Sequence, residues 1–318
     1  MLNTLLLIGG LALILLGANG LTDGAAAVAK KFRISDLVIG LTIVAFGTSA
    51  PELVISVMAA LGGSADMAIG NVVGSNAFNT LMILGVCALF SPLTFTKSNI
   101  RRDIPICILA TLALLVVTLF NQDINRLEGA ILLLGYIVMI VFMIRAEKRA
   151  MLAEVQPVDQ DVKPVKLMPM WRVPIWILAG LAGLIYGGEL FVNSASDIAR
   201  SWGVSEAVIA ITLVAGGTSM PELASSLVSV AKGQKGMALG NVLGSNLFNI
   251  LFILGGCSMI TPLTLGDIDI IDISMVVLSA VIPFIFAFTF KGRQLDRKEG
   301  VAMVAIYIGY VAWLISKI

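Results

Sequence analysis

Apolar runs of about 20 residues alternate with short polar stretches along the whole chain, at 4–28, 37–62, 67–90, 104–120, 127–145, 173–199, 207–231, 237–260, 273–290 and 300–316. A run of that length crosses a ~30 Å hydrocarbon core as a helix, so the pattern predicts ten membrane spans, five on each side of a polar stretch at 146–172. That stretch carries mixed charges and Pro157, Pro164 and Pro169, which predicts a tether too short for an ordinary regulatory domain. The first run has no basic segment ahead of it and continues into a segment with a repeat partner. It is therefore expected to stay in the mature chain rather than be cleaved as a leader.

The two halves repeat one another. Thr42 to Leu53 reads TIVAFGTSAPEL and Thr212 to Leu223 reads TLVAGGTSMPEL, an offset of 170 residues. Gly70 to Asn79 (GNVVGSNAFN) and Gly240 to Asn249 (GNVLGSNLFN) recur at the same offset. Five spans is an odd number, so the second copy has to enter the membrane from the side opposite to the first. The fold expected is an all-α integral membrane protein whose ten transmembrane helices form two inverted five-helix repeats, 1–145 and 173–318, joined by the 146–172 linker. Inverted repeats of this kind are the architecture of many secondary transporters, with the substrate site near the midplane where broken helices of the two halves meet.

Composition supports the membrane reading and orients it. The 318 residues are 58% hydrophobic and only 13% charged, with a mean hydropathy of +0.99, against roughly 25% charged in a soluble domain. Of the 21 lysines and arginines, 18 fall in the loops after spans 1, 3, 5, 7 and 9, leaving only Arg126, Arg200 and Lys317 on the other side. Basic residues collect in the cytoplasm, which puts the linker there and both termini outside. A plasma (inner) membrane protein in contact with the lipid bilayer follows; a nucleic-acid partner is not expected, and a monomer is. Histidine is absent and the three cysteines include Cys87 and Cys257 at equivalent positions inside apolar runs. These are read as buried small residues, not as a disulfide framework or a soft-metal site.

The polar residues left inside the apolar runs carry the chemistry. Pro51 and Pro221 lack an amide hydrogen, so each frees a carbonyl four residues earlier, at Gly47 and Gly217, and breaks its helix where protein, water or a cation must satisfy the backbone. Glu52 and Glu222 follow these breaks, with no intramembrane Lys or Arg available to pair with them, and an intramembrane carboxylate is functional by default. Thr48 and Glu52 share a helical face with Ser49 adjacent, and Thr218, Ser219 and Glu222 repeat the arrangement. Asn71, Ser75 and Asn79 form a second polar stripe matched by Asn241, Ser245 and Asn249. Together these supply two carboxylates, hydroxyls and amide oxygens, the donor set of a hard cation such as calcium, which takes 6 to 8 oxygens. Asn71 and Asn241 are equally well read as hydrogen bonds between helices, and the Gly70/Gly74 and Gly240/Gly244 pairs as close helix packing. Asn19 and Asp23 correspond to Glu189 and Asn193; a gate role and a simple interfacial position both fit. Asp267, Asp269 and Asp272 read as a solvated acidic loop on the outward face that could also attract cations.

At these residues the chain resembles the calcium/cation antiporter superfamily, in its prokaryotic sodium/calcium exchanger branch, related to the potassium-dependent sodium/calcium exchangers. The two G-T-S-x-P-E-L segments look like that family's alpha repeats, each followed by G-N-x-x-G-S-N, and the likeness in span layout covers nearly the whole chain. The resemblance implies that ions bind between spans 2, 3, 7 and 8. The ligands it implies are the carbonyls of Ala45 and Ala215 and the side chains of Thr48, Ser49, Glu52, Thr218, Ser219, Glu222, Ser75, Asn79, Ser245 and Asn249. It also implies transported Ca2+ and Na+, with K+ a candidate co-substrate, and no cofactor. Pro51 and Pro221 favour the sodium branch over the proton-coupled one. One departure is that well-understood members carry an aspartate at one of the two positions held here by Asn79 and Asn249.

Two carboxylates ~4 Å apart repel by ~4 kcal/mol at an effective dielectric of 20. A site of that kind is reluctant to occlude until cations or protons relieve its charge, and transport only when loaded is antiport. Export of calcium in exchange for sodium by alternating access is the reading that follows. Calcium/proton exchange with the glutamates titrating keeps the same fold, and a passive cation channel is a different class that inverted repeats disfavour. No serine or cysteine sits beside an evident base, so an enzyme is not expected.

Overall fold

The computed structural model describes residues 2–32, 34–121, 123–153, 168–204, 209, 215–266, 268–289 and 292–317. The middle of the expected tether with Lys163 and Lys166, the start of the expected 207–231 span with Thr212, and also Arg33, Asp267 and Lys291 lie outside the described residues. The first half contains α1 (Leu2–Phe32), α2 (Asp36–Thr48), α3 (Ala50–Leu61), α4 (Ala65–Phe90), α5 (Ile104–Asn121) and α6 (Arg126–Ala153). The second contains α7 (Val173–Ser201), α8 (Ala215–Thr218), α9 (Met220–Ala231), α10 (Lys235–Ile260), α11 (Ile270–Phe286) and α12 (Arg297–Ser316). Each helix of the second half is thus the counterpart of the one six numbers earlier.

The chain is helical nearly throughout because a backbone in hydrocarbon has to satisfy its own polar groups. Among the described residues seven helices are long and apolar enough to cross a bilayer, and α2 with α3, bent by 48° at their junction, makes an eighth. Among the described residues the loops also hold two pairs of two-residue strands. β1 (Leu93–Thr94) pairs with β4 (Gln294–Leu295), and β2 (Asp123–Ile124) with β3 (Leu263–Thr264). The pairing is reciprocal between the halves, with Leu93 opposite Leu295 and Leu263 opposite Ile124.

Burial sorts the spans into a centre and a lipid-facing shell. In an 18-residue apolar stretch of α4 and of α10, 78% and 94% of the residues are buried, against 17–22% in α6, α7 and α12. The central pair carries the two G-N-x-x-G-S-N motifs. Gly240 and Gly244 lie so close to α2 that an added Cβ would run into the Leu37 carbonyl and, at 2.6 Å, the Leu41 backbone, so here the small residues are a packing device. Most of the counterpart of that α2 segment, residues 205–208 and 210–214, lies outside the described residues, which leaves the neighbours of Gly70 and Gly74 on that side undescribed.

Close approach also joins the halves at the periphery. A Cβ at Gly17 would meet the Gly180 carbonyl at 2.6 Å, and one at Gly180 the Leu21 amide at 2.5 Å. Thus α1 and α7 touch backbone to backbone. The three cysteines, Cys87, Cys107 and Cys257, are free thiols and buried, in keeping with the packing role read from the sequence.

The described part of the acidic run, 268–272, is structured rather than loose. Asp269 caps α11 by accepting from the amides of Ile271 and Asp272, and Asp272 returns a bond to the Asp269 amide. Lys317 pairs with Asp269 at 2.7 Å and holds its carboxyl below the usual carboxylate range, while the Tyr310 hydroxyl donates to Asp272 at 2.8 Å. Asp269 and Asp272 are committed to capping.

Candidate cation site

The site is built on two helix breaks. In the first half α2 ends at Thr48, Ser49 takes φ −84° and ψ 11°, and α3 begins at Ala50; in the second α8 ends at Thr218, Ser219 takes φ −91° and ψ 10°, and α9 begins at Met220. Pro51 and Pro221 fall in the first turn of the new helix, where an amide hydrogen is not needed. The break therefore satisfies the prolines and leaves Glu52 and Glu222 in the first turns of α3 and α9. Both side chains are fully buried.

The two carboxylates are bound across the halves. Ser49 Oγ donates to Glu222 Oε1 at 2.7 Å, and Ser219 Oγ donates to Glu52 Oε1 at 2.9 Å. Ser245 Oγ adds a longer contact to Glu222 Oε1 at 3.4 Å, and its counterpart Ser75 is buried beside Glu52. Ser49, Ser219 and Ser245 each spend their only proton on a carboxylate, which leaves oxygen lone pairs facing the space between the breaks. Thr48 Oγ1 does the same toward Asn241 Oδ1 at 3.1 Å, with the Ala45 carbonyl at 3.4 Å.

These bonds leave carboxylate and amide oxygens over. Glu52 Oε2, Glu222 Oε2, Asn79 Oδ1 and Asn249 Oδ1 are buried without a hydrogen-bond partner. Buried polar atoms are nearly always paired, and a buried carboxylate needs a compensating charge. Among the described residues the ion pairs of Arg102, Arg200, Lys232 and Lys317 all lie elsewhere, so no described basic side chain supplies it. Ser75 Oγ and Asn79 Nδ2 are unpaired as well. The four oxygens belong to two carboxylates and two amides. That donor set fits a hard cation and does not fit a soft one.

Of the residues expected at the site, Ser49, Glu52, Ser75, Ser219, Glu222 and Ser245 meet around the two carboxylates, while Asn79 and Asn249 sit buried on α4 and α10. Thr48 ends α2 and Thr218 ends α8, which Ala215 opens. The Ala45 carbonyl already accepts the Ser49 amide at 3.0 Å and the Thr48 hydroxyl at 3.4 Å.

Asn71 and Asn241 resolve to bonds between helices. Asn71 Nδ2 donates to the Glu52 carbonyl and Ser56 Oγ; Asn241 Nδ2 lies within reach of the Glu222 carbonyl, Ser225 Oγ and Ser226 Oγ. They hold the glutamate-bearing turns against α4 and α10.

Sequence reasoning passed over Asn76, Asn246, Ser56 and Ser226, which carry part of this network. The signal was available, because Asn76/Asn246 and Ser56/Ser226 are identical pairs at the 170-residue offset. It also had no access to the wide π turns at Phe78–Ile83 and Phe248–Leu254, in which Asn79 and Asn249 are second residues. Such turns recur at functional sites because the extra residue re-aims side chains.

The surroundings of the site are not symmetric. Ala50, Pro51, Val54 and Ile55 of α3 and Ile185, Gly188, Glu189, Val192 and Asn193 of α7 line a cavity of about 440 Å3 that reaches Thr218 and Pro221. The equivalent helices on the other side, α9 and α1, are in contact. Thr22 Oγ1 and Ser229 Oγ are 3.5 Å apart, and Lys232 Nζ bonds to Asp23 at 2.7 Å and to the Asn19 carbonyl at 3.3 Å. Asn19 and Asp23 therefore face a closed seam, and Glu189 and Asn193 an open one.

Comparison with known proteins places the arrangement. The chain matches the sodium/calcium exchanger protein family over residues 2–145 and 172–316. It is 37% identical to the putative antiporter CaxA of Alkalimonas amylolytica, covering 98% of both chains. It is 31% identical to the sodium/calcium exchanger MaX1 of Methanosarcina acetivorans, again over 98% of each. A solved structure of the sodium-calcium exchanger NCX_Mj, soaked with 2.5 mM Na+ and 0.1 mM Ca2+, superposes with a TM-score of 0.82 at 28% identity, covering 98% of both chains.

Proposed function

The chain belongs to the sodium/calcium exchanger protein family, and from that premise we propose that it exports calcium in exchange for sodium, binding both ions in turn between the two helix breaks. The observation that carries this reading is the set of four unpaired buried oxygens on Glu52, Glu222, Asn79 and Asn249 with no described basic side chain to balance the two carboxylates. Thr48, Ser49, Ser75, Thr218, Ser219, Ser245 and the carbonyls of Ala45 and Ala215 complete the proposed ligand set. A cation neutralises the site, and a neutral site can be enclosed in hydrocarbon at far lower cost than a charged one. The protein therefore changes sides only when loaded, which couples the two ions. Its family and structural neighbours are transporters, and the catalytic machinery of an enzyme has no part in this scheme.

The architecture proposed for this exchange is ten spans in two inverted repeats, 1–145 and 173–318, with the 146–172 linker cytoplasmic and both termini outside. In that orientation the cavity between α3 and α7 opens outward and the α1–α9 seam closes the cytoplasmic side. The 170-residue offset sets Val192, Asn193 and Ala59, Gly62 opposite Thr22, Asp23 and Ser229, Lys232, so no equivalent polar seam can form on the outward side. The Asp23–Lys232 pair is partly exposed and contributes less than about 1 kcal/mol. Lys232→Ala is accordingly expected to raise maleimide labelling of a Ser229→Cys probe from the cytoplasmic face by about two- to threefold; unchanged labelling would remove the seam from the mechanism.

The test of the proposal is calcium-45 uptake into proteoliposomes loaded with sodium, with potassium, or with neither but carrying a pH gradient. Uptake is expected only with internal sodium. Uptake driven by the pH gradient alone would assign proton coupling instead, and uptake without any counter-ion would make the protein a channel.

A further inference from the structure

Among the described residues Asn249 engages only one end of its amide. Its Nδ2 donates to Asn76 Oδ1 at 3.0 Å, while its Oδ1 is buried and unpartnered. Asn76 is itself held, because its Nδ2 donates to the Asn246 backbone carbonyl at 3.2 Å. A carbonyl can only accept, so it fixes which end of Asn76 faces it, and Asn76 must then offer its oxygen to Asn249. Polarity is passed from a backbone carbonyl through Asn76 to Asn249. The two ends of an amide have nearly the same shape and opposite polarity, so without this partner Asn249 could turn its NH2 group inward.

We propose that Asn76 is a positioning residue for ion binding, which orients Asn249 so that its amide oxygen and not its nitrogen faces the cation. The inference rests on the reading of Asn249 as a ligand. The equivalent relay is not formed in the other half. Asn79 Nδ2 and Oδ1 both lack partners among the described residues, and Asn246, at the position equivalent to Asn76, gives its NH2 to Thr80 Oγ1 at 2.6 Å and leaves Oδ1 unpaired. Thr80 has Ile250 as its counterpart, so that diversion exists in one half only. Asn249 is therefore the fixed amide of the site and Asn79 the adaptable one.

The experiment measures KM and Vmax for calcium in sodium-loaded proteoliposomes of the full chain. Asn76→Ala is expected to raise KM about tenfold with Vmax within about twofold, as loss of an oriented hydrogen-bonding dipole at a charged ligand should. A carboxylate presents oxygen whichever way it turns, so in the Asn249→Asp background the same Asn76→Ala substitution is expected to leave KM unchanged. An equal KM effect in both backgrounds, or none in either, would overturn the proposal. Asn76→Leu, which keeps the volume and removes the acceptor, is the second variant; if neither Asn76 variant inserts as folded protein, Asn76 serves folding and the proposal fails. Asn249→Ala separates the two levels, because an unchanged KM in that variant would remove Asn249 from the ligand set and with it the reading beneath the inference.

Discussion

Glu52→Gln and Glu222→Gln should each abolish calcium transport while leaving a folded protein in the membrane. At about 4 Å and an effective dielectric of 20 a unit charge attracts a divalent ion by about 8 kcal/mol, twice the figure for two unit charges. If desolvation of the carboxylate offsets half of that, the remaining ~4 kcal/mol still corresponds to roughly 10^3-fold in affinity. The fold should tolerate the change, since Gln keeps an oxygen able to accept from Ser49 or Ser219 and removes a buried charge that no described basic side chain balances. The apo variants are therefore expected to be at least as heat-stable as the parent, and to lose the stabilisation that calcium confers on it. Calcium-45 uptake together with thermal unfolding in 0 and 1 mM calcium reads both effects. Normal uptake by both variants would remove the two carboxylates from the site. Unfolding of both would show instead that they hold the breaks together.

Much of this was legible in the chain, and what was not has a common cause. The offset of 170 residues identifies Glu52 and Glu222, the prolines locate the breaks, and the apolar runs give the spans. These are local signals, set by 3.6-residue periodicity and by one missing amide. The offset says which residues are equivalent but not which residues meet. Ser49 bonds to Glu222 rather than to Glu52, three residues away, because the two breaks face one another across the halves. The Asp23–Lys232 pair spans 209 residues, and Lys232 has only Gly62 as its counterpart, so duplication itself directed attention away from it. Asn76 and Asn246 stand one residue off the 71–75–79 stripe. They were invisible to a search for one polar face because they point toward the other half.

Asn241→Leu is expected to cause the second largest loss, about 30-fold in calcium affinity, although Asn241 is not itself among the proposed ligands. Its two amide protons are shared among Ser225 Oγ at 2.9 Å, Ser226 Oγ at 3.0 Å and the Glu222 carbonyl at 3.3 Å, and its oxygen accepts from Thr48 at 3.1 Å. One side chain thereby ties α10 to the first turn of α9 and to the last turn of α2, on both sides of the site. Leucine of similar volume breaks all of these bonds without opening a cavity. At ~0.6 kcal/mol for each interhelical bond in a membrane the stability lost is about 2 kcal/mol. The affinity lost comes from two sources, release of the Glu222 turn and release of the Thr48 hydroxyl to turn its proton inward. A double-mutant cycle separates them. Thr48→Val removes the hydroxyl at constant shape, so if orientation of that hydroxyl is the larger source, adding Thr48→Val to Asn241→Leu should raise KM by less than about twofold. Fully additive effects would mean that Asn241 acts on ion binding through Glu222 alone.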